Sequence, residues 1–147
     1  MIGDIGPLRA RVRPSYLPIY KQLLKGNYIG QHSELFTLCC FIPSNNVMED
    51  SVKLVELCQA SSFTQYQLTS LSAQVYKNNQ KFISYKDLFA EMEQSADKGM
   101  SFLIENVWND VTTESEAGDM TIIPGREFEA QYLLASYINE KLTEVPF

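Results

Sequence analysis

The sequence predicts a mainly α-helical, compact single domain of about four to six helices, with one short strand or hairpin at most and an extended basic segment at its start. Apolar residues make up 45% and charged residues 20% of the 147 residues, an ordinary composition for one globular domain. Most apolar residues recur at the three- and four-residue spacing of amphipathic helices. A chain of this length buries a sizeable core without needing a disulfide or a metal.

Residues 1–14 are predicted to form an extended N-terminal arm, and residues 15–147 a single helical domain. Glycine and proline recur through the first stretch, and its last proline favours extended backbone at the residue before it. Arg9, Arg11 and Arg13 alternate with apolar residues, so in an extended chain their side chains share one side.

The predicted arm is basic, whereas the rest of the chain is acidic. The first 25 residues hold five basic residues and one acid, but residues 26–147 hold seven basic residues and seventeen acids. Five of these acids and no base fall between Glu105 and Asp119. Three targets fit such an arm: the phosphates of a nucleic acid, an acidic partner protein, or the acidic face of this domain itself.

Two helices are expected after the arm. Ser15 is placed to act as the N-cap of the first helix, which Gly26 ends. Ser33 is expected to cap the second helix, whose residues 35–42 are almost all apolar, and this predicts a helix buried on every side. Pro43 and the polar residues after it end this helix.

The middle of the chain contains one ambiguous stretch and two further helices. Residues 47–60 fit neither the helical nor the strand period, and we predict a short strand or an irregular turn over 52–57. A third helix begins at Thr64, which has a glutamine three residues later in a capping-box arrangement. A fourth helix begins after Ser84, and Gly99 is expected to end it.

The last part of the chain is predicted to hold two helices around an acidic loop. Ser101 restarts a helix that reaches Trp108. Residues 111–125 are polar and acidic and are interpreted as a loop. The final helix is expected from Arg126 to Leu142, with Phe128 among its inward residues.

The cysteines and the single histidine do not match a catalytic or metal-binding pattern. Cys39 and Cys40 fall in the apolar second helix, where burial raises a thiol pKa and makes the thiol inert. Free, reduced cysteines are therefore expected, which favours a cytoplasmic protein. His32 stands at a loop-to-helix junction and is interpreted as a surface residue of the helix start. Together with Cys58 these residues lack zinc-knuckle spacing, so we expect no metal and no cofactor.

The remaining motifs also argue against an enzyme. Glu91 and Glu93 fall on different sides of a helix, as do Glu127 and Glu129, so neither pair forms a catalytic dyad. No glycine-rich phosphate-binding loop occurs. Neither an 18-residue apolar stretch nor a secretory signal is recognised, so we expect no membrane association.

The candidate partner-binding residues are the arginines of the arm and the residues around the only tryptophan. Trp108 ends a predicted helix next to the acidic loop, and tryptophan is enriched at the centres of protein interfaces. A core position at the helix end explains it equally well. The candidates are Arg9, Arg11, Arg13, Trp108, Asp110 and Glu114.

Three segments between residues 15 and 110 carry a resemblance to a known group of proteins. They are residues 20–24 (YKQLL), residues 34–42 (ELFTLCCFI) and residues 91–104, which contain Gly99. In this layout the chain resembles small accessory proteins of bacterial defence operons, in particular those of the DNA-phosphorothioation (Dnd) system. The resemblance implies a non-enzymatic subunit of an antiviral or DNA-processing complex and assigns no catalytic residue.

The sequence therefore favours a non-catalytic accessory or adaptor subunit that binds larger subunits of a bacterial multi-protein complex, with antiviral defence or DNA processing as its setting. The acidic balance after residue 25 leaves open an alternative, an acidic phage-type inhibitor or DNA mimic. A second alternative is weak nucleic-acid binding through the basic arm.

Overall fold

A computed structural model describes residues 5–49, 51–81 and 83–142. These residues form five α-helices and two pairs of short antiparallel strands. In chain order the elements are β1 (Arg9–Val12), α1 (Leu17–Lys25), α2 (His32–Phe41), β2 (Val55–Gln59), α3 (Gln65–Asn79), α4 (Tyr85–Phe102), β3 (Thr112–Glu114), β4 (Met120–Ile122) and α5 (Glu127–Leu142). The mainly α-helical class and the number of helices are as predicted. In the described part of the chain, no helix combines the length and apolar character needed to cross a membrane.

The centre of the core is the packing of α2 against α4. Leu35 and Phe36 of α2 and Met92 of α4 are almost entirely inaccessible to solvent where the two helices pack. Phe41 at the end of α2 is 40% exposed, so the expectation of a helix buried on every side is wrong. Gly99 lies inside α4, where a Cβ atom would come within 2.0 Å of the carbonyl oxygen of Cys39. The prediction that Gly99 ends the helix is therefore wrong: its missing side chain lets two helix backbones approach closely.

Two of the four predicted helix caps are confirmed. The hydroxyl of Thr64 accepts a hydrogen bond from the backbone N–H of Gln67, whose side chain accepts one from the N–H of Thr64. Ser84 caps α4 through its hydroxyl. Ser15 and Ser33 do not act as caps: α1 begins two residues after Ser15, and Ser33 is buried inside the first turn of α2. One capping residue does not fix a helix end to better than one or two positions.

The chain beyond α4 is more ordered than its composition predicts. Helix α4 continues without a break into a π-helical turn, Leu103–Val107. The polar stretch expected to be a loop contains the β3–β4 hairpin, whose Ile122 is buried in the core. The side-chain amide of Gln22 pairs with both the N–H and the carbonyl of Ile122, at 2.9 and 2.8 Å. This contact covers the open edge of β4, where a third strand would otherwise bind.

Helix α5 packs on the domain by one face and presents aromatic residues on the other. Ala130 is completely buried, whereas Phe128 and Tyr132 are 70% and 64% exposed. The expectation that Phe128 points inward is therefore wrong. At 100° per residue, Phe128 lies close to the side opposite Ala130.

Candidate functional site

The basic N-terminal segment is part of the folded domain, which corrects the prediction of a separate arm. Residues 1–4 lie outside the described residues, but Arg9–Val12 form β1, which pairs with β2 in antiparallel orientation. Ala10 and Val12 are fully buried in the core. The alternation of arginines with apolar residues is therefore that of a strand with one buried face. Burial of the two apolar side chains fixes the segment on the domain.

Each arginine of this segment pairs with an acid of the same chain. The three ion pairs are Arg9 with Glu56, Arg11 with Glu93, and Arg13 with Asp97. Of the three targets that fit the basic segment, the domain's own acids are therefore the ones it contacts. We call the second and third pairs the Glu93 rung and the Asp97 rung, since the two acids lie one turn apart on α4.

The Glu93 rung is fully hydrogen-bonded. One carboxylate oxygen of Glu93 accepts bonds from the backbone N–H and the Nε of Arg11, at 2.8 and 3.0 Å. The other accepts a bond from the Nη2 of Arg11 at 3.0 Å. Only 4% of the Glu93 side chain is exposed, and these three bonds compensate the loss of water around a buried carboxylate. The side-chain hydrogen bonds that Arg11 donates to Glu93, followed by the charge of Glu93, raise the pKa of Arg11.

The Asp97 rung is incompletely bonded. Asp97 accepts one long bond, 3.4 Å from the backbone N–H of Arg13, and its other oxygen is 3.8 Å from the Nε of Arg13. That Nε is buried and has no hydrogen-bond acceptor among the described residues, because the Nη2 of Arg13 donates to the carbonyl of Glu49 instead. Burial raises the pKa of Asp97 to about 6, and this outweighs the opposing effects of the Arg13 N–H and charge.

The two acids belong to a longer polar stripe on α4. Ser101 and Glu105 follow at the same four-residue spacing, the latter in the π-helical turn. The side-chain amide of Asn46 donates to both, at 2.9 Å to Ser101 Oγ and 3.2 Å to Glu105 Oε2. The stripe of Glu93, Asp97, Ser101 and Glu105 thereby fastens β1 and the irregular segment after α2 to the same helix.

A cleft of about 540 Å³ opens between this irregular segment and α4. Its charged lining residues are Arg13 and Lys98, which are cationic, and Glu49 and Asp97, which are anionic. Asp97 thus connects the incompletely bonded rung to a concave site of the size that small molecules occupy. The sequence-based candidates included Arg13 but neither of the acids that line this cleft.

Trp108 is a core residue, which corrects its assignment to a partner-binding surface. Its side chain is completely buried, and its indole N–H donates to the carbonyl of Ala130 at 2.9 Å. The contact joins the end of the π-helical turn to α5. A buried tryptophan needs a partner for its N–H, and a carbonyl in the first turn of α5 supplies it.

Asp110 and Glu114 both lie on the surface, but they contact different parts of the molecule. The carbonyl of Asp110 accepts a bond from the Nη1 of Arg126 at 2.7 Å, so its turn is held against the start of α5. Glu114 lines a small cleft together with Glu105. We define the acidic surface as the exposed carboxylates of the π-helical turn and the hairpin, none of which forms an ion pair with another described residue: Glu105, Asp110, Glu114, Glu116 and Asp119.

Cys39 and Cys40 are buried, as the sequence predicts, whereas Cys58 is partly exposed. Cys39, Cys40 and Cys58 are free, and burial raises the pKa of Cys39 to about 12 and that of Cys40 well above its usual range. His32 is half-buried with its Nδ1 3.3 Å from the carbonyl of Leu57, and burial lowers its pKa. Among residues 5–49, 51–81 and 83–142, no three His, Cys, Asp or Glu side chains form a group that could hold a metal ion.

Comparison of the chain with protein-family models, with curated proteins and with solved structures finds no match.

Glu93 and Asp97 are the two acids of this candidate site that sequence reasoning missed. The sequence did place Glu91 and Glu93 on different sides of the helix, and this is confirmed, since Glu91 is exposed and Glu93 is buried. The overlooked signal is the four-residue spacing of Glu93 and Asp97 alongside the apolar stripe of α4, which includes Met92 and Ala96. Two acids at this spacing next to a buried face indicate a buried partner of opposite charge.

Proposed function

We propose that this chain is a non-catalytic interaction subunit that binds a basic segment of a larger protein through its acidic surface. One observation carries the proposal: the five carboxylates of this surface are exposed and none of them forms an ion pair in the described part of the chain. The basic residues that could have neutralised them from β1 are each engaged with another acid. Complementary charge on a partner would steer association and fix its orientation.

The same contacts weigh against nucleic-acid binding through the N-terminal segment. Arg9 and Arg11 form ion pairs at 3.2 and 3.0 Å, so phosphate binding through these two residues would have to break those pairs. The net charge of −6 adds general repulsion of a polyanion.

The setting we propose is a bacterial defence or DNA-processing complex in the cytoplasm. The resemblance to small accessory proteins of such operons supports the complex, and the three free thiols support a reducing compartment. An acidic inhibitor that mimics DNA would use the same carboxylates against a DNA-binding protein. The two functions differ in whether DNA competes for the partner.

A charge-matched pair of variants tests the proposal. In the first variant four carboxylates of the acidic surface become amides: Glu105→Gln, Glu114→Gln, Glu116→Gln and Asp119→Asn. In the control variant four exposed acids on other faces become amides, which changes the net charge equally: Glu34→Gln, Asp87→Asn, Glu91→Gln and Glu140→Gln.

The measurement is affinity capture from nuclease-treated lysate of the native host, followed by binding assays of the purified partner at low and high salt. We expect wild type and control to bind the same stoichiometric protein, the surface variant to lose it, and affinity to fall as salt rises. Equal binding by both variants would contradict the proposal. Displacement of the partner by duplex DNA would favour the DNA-mimic alternative.

A further inference from the structure

The cleft beside the Asp97 rung has features that the packing of the domain does not require. Glu93 and Asp97 face the same strand from the same helix, one turn apart, yet only Glu93 is fully hydrogen-bonded. Asp97 is only 4% exposed and lines the cleft with one of its oxygens lacking any hydrogen-bond donor in the described chain. A carboxylate that is almost buried and only partly hydrogen-bonded is costly, and such groups cluster at binding sites.

Among the described residues that line the cleft, the charges balance. Arg13 and Lys98 supply two positive charges, and Glu49 and Asp97 supply two negative charges. A ligand with a single charge would therefore meet a like charge as well as an opposite one. A ligand that carries both charges close together finds a partner for each.

One wall of the cleft is apolar. Val47, Met48, Val52 and Leu54, all from the irregular segment between α2 and β2, line it. This wall suits an aliphatic group next to the charged end of a ligand.

We propose that the cleft binds a small apolar α-amino acid in its zwitterionic form. The ammonium group of the ligand donates to Asp97, and its carboxylate accepts from Lys98 and the guanidinium of Arg13. Its side chain lies along Val52 and Leu54. The carboxylate and ammonium groups of an α-amino acid are attached to one carbon atom, which matches a cation and an anion that are 3.8 Å apart in the protein. This site is separate from the acidic surface, so the proposal stands independently of the protein–protein function.

Titration calorimetry with L-leucine and L-methionine as probes tests this site. We expect binding with a dissociation constant on the order of 0.1–1 mM, since the ligand is small. Two analogues of leucine isolate the charges: leucinamide lacks the carboxylate, and 4-methylpentanoate lacks the ammonium group. Each is expected to bind at least about tenfold more weakly, because it leaves one charge of the site unpaired.

Variants on α4 locate the site. Asp97→Asn and Lys98→Met are each expected to weaken leucine binding by about tenfold. Lys86→Met and Glu91→Gln serve as controls, since both residues are exposed on the same helix away from the cleft, and they are expected to leave affinity unchanged. Lys98 makes no hydrogen bond or ion pair with a described residue, so its variant remains informative if Asp97→Asn fails to fold.

Two results would overturn the proposal. One is the absence of binding to folded wild-type protein at ~10 mM of either amino acid, well above the expected constant. The other is equal binding of leucine and both analogues, which would show that the charges of the cleft do not recognise a zwitterion.

Discussion

The Glu93 rung and the Asp97 rung are both ion pairs between an arginine of the N-terminal segment and an acid of α4, but only the Glu93 rung is fully hydrogen-bonded. In the Glu93 rung, three hydrogen bonds of 2.8–3.0 Å join the acid to Arg11. In the Asp97 rung, the acidic side chain is one methylene shorter, and its only hydrogen bond with a described residue is 3.4 Å long. Arg13 also donates to the carbonyl of Glu49. This difference in hydrogen bonding distinguishes the Glu93 rung, which is a structural ion pair, from Asp97, which keeps an oxygen available to the ligand that we propose. Burial alone does not distinguish them, since both acids are almost completely buried.

Removal of each acid gives the largest expected difference between the rungs. Glu93→Ala leaves the edge of β1 and the guanidinium of Arg11 without an acceptor, and we expect it to lower the free energy of unfolding by about 3 kcal/mol. Asp97→Ala removes one long hydrogen bond together with a poorly compensated charge, and we expect a loss of about 1 kcal/mol or less. Urea unfolding at pH 7 measures both. Equal losses would show that the two rungs contribute alike.

A smaller effect is expected in the pH dependence of stability, which tests the Asp97 rung. The pKa of Asp97 is raised from 3.8 to about 6 in the folded protein, mainly by burial. Between about pH 4 and 6 the folded state therefore binds more protons at this residue than the unfolded state, so its contribution to stability falls as pH rises through that window. Relative to Asp97→Ala, the wild type is expected to gain about 2 kcal/mol on going from pH 7 to pH 4.

Unfolding curves of the two proteins across this range provide the measurement. The comparison with Asp97→Ala cancels the titration of the other acids. A constant difference between wild type and variant from pH 7 to pH 4 would contradict the assignment of the raised pKa to Asp97.

Local patterns in the sequence predicted much of the fold. The capping signals at Thr64 and Ser84 and the apolar run of α2 identify helices because caps and periodicity act within a few residues. The alternation from Arg9 to Arg13 correctly indicated extended backbone. It did not reveal that Ala10 and Val12 are buried, because the same alternation fits a free arm and a strand with one covered face.

The missed features depend on contacts between distant parts of the chain. Arg11 and Glu93 are 82 residues apart, and Gln22 covers the edge of β4 from 100 residues away. Gly99 resembles a helix end by composition, and only the approach of Cys39 explains its place inside α4. For Trp108 the sequence leaves a partner-binding surface and a core position equally open, and only the contact of its indole N–H with the carbonyl of Ala130 places it in the core.

The basic N-terminal segment is held on the domain as a strand by Glu93 and Asp97 and is not a free arm. Amide hydrogen exchange at Arg11 and Arg13, followed by NMR at residue resolution, tests this claim most directly. We expect slow exchange at Arg11, whose N–H donates to Glu93 at 2.8 Å, and faster but still protected exchange at Arg13, whose bond to Asp97 is 3.4 Å long. Exchange at both amides as fast as in an unstructured peptide would contradict the claim and restore the arginines as a free binding arm.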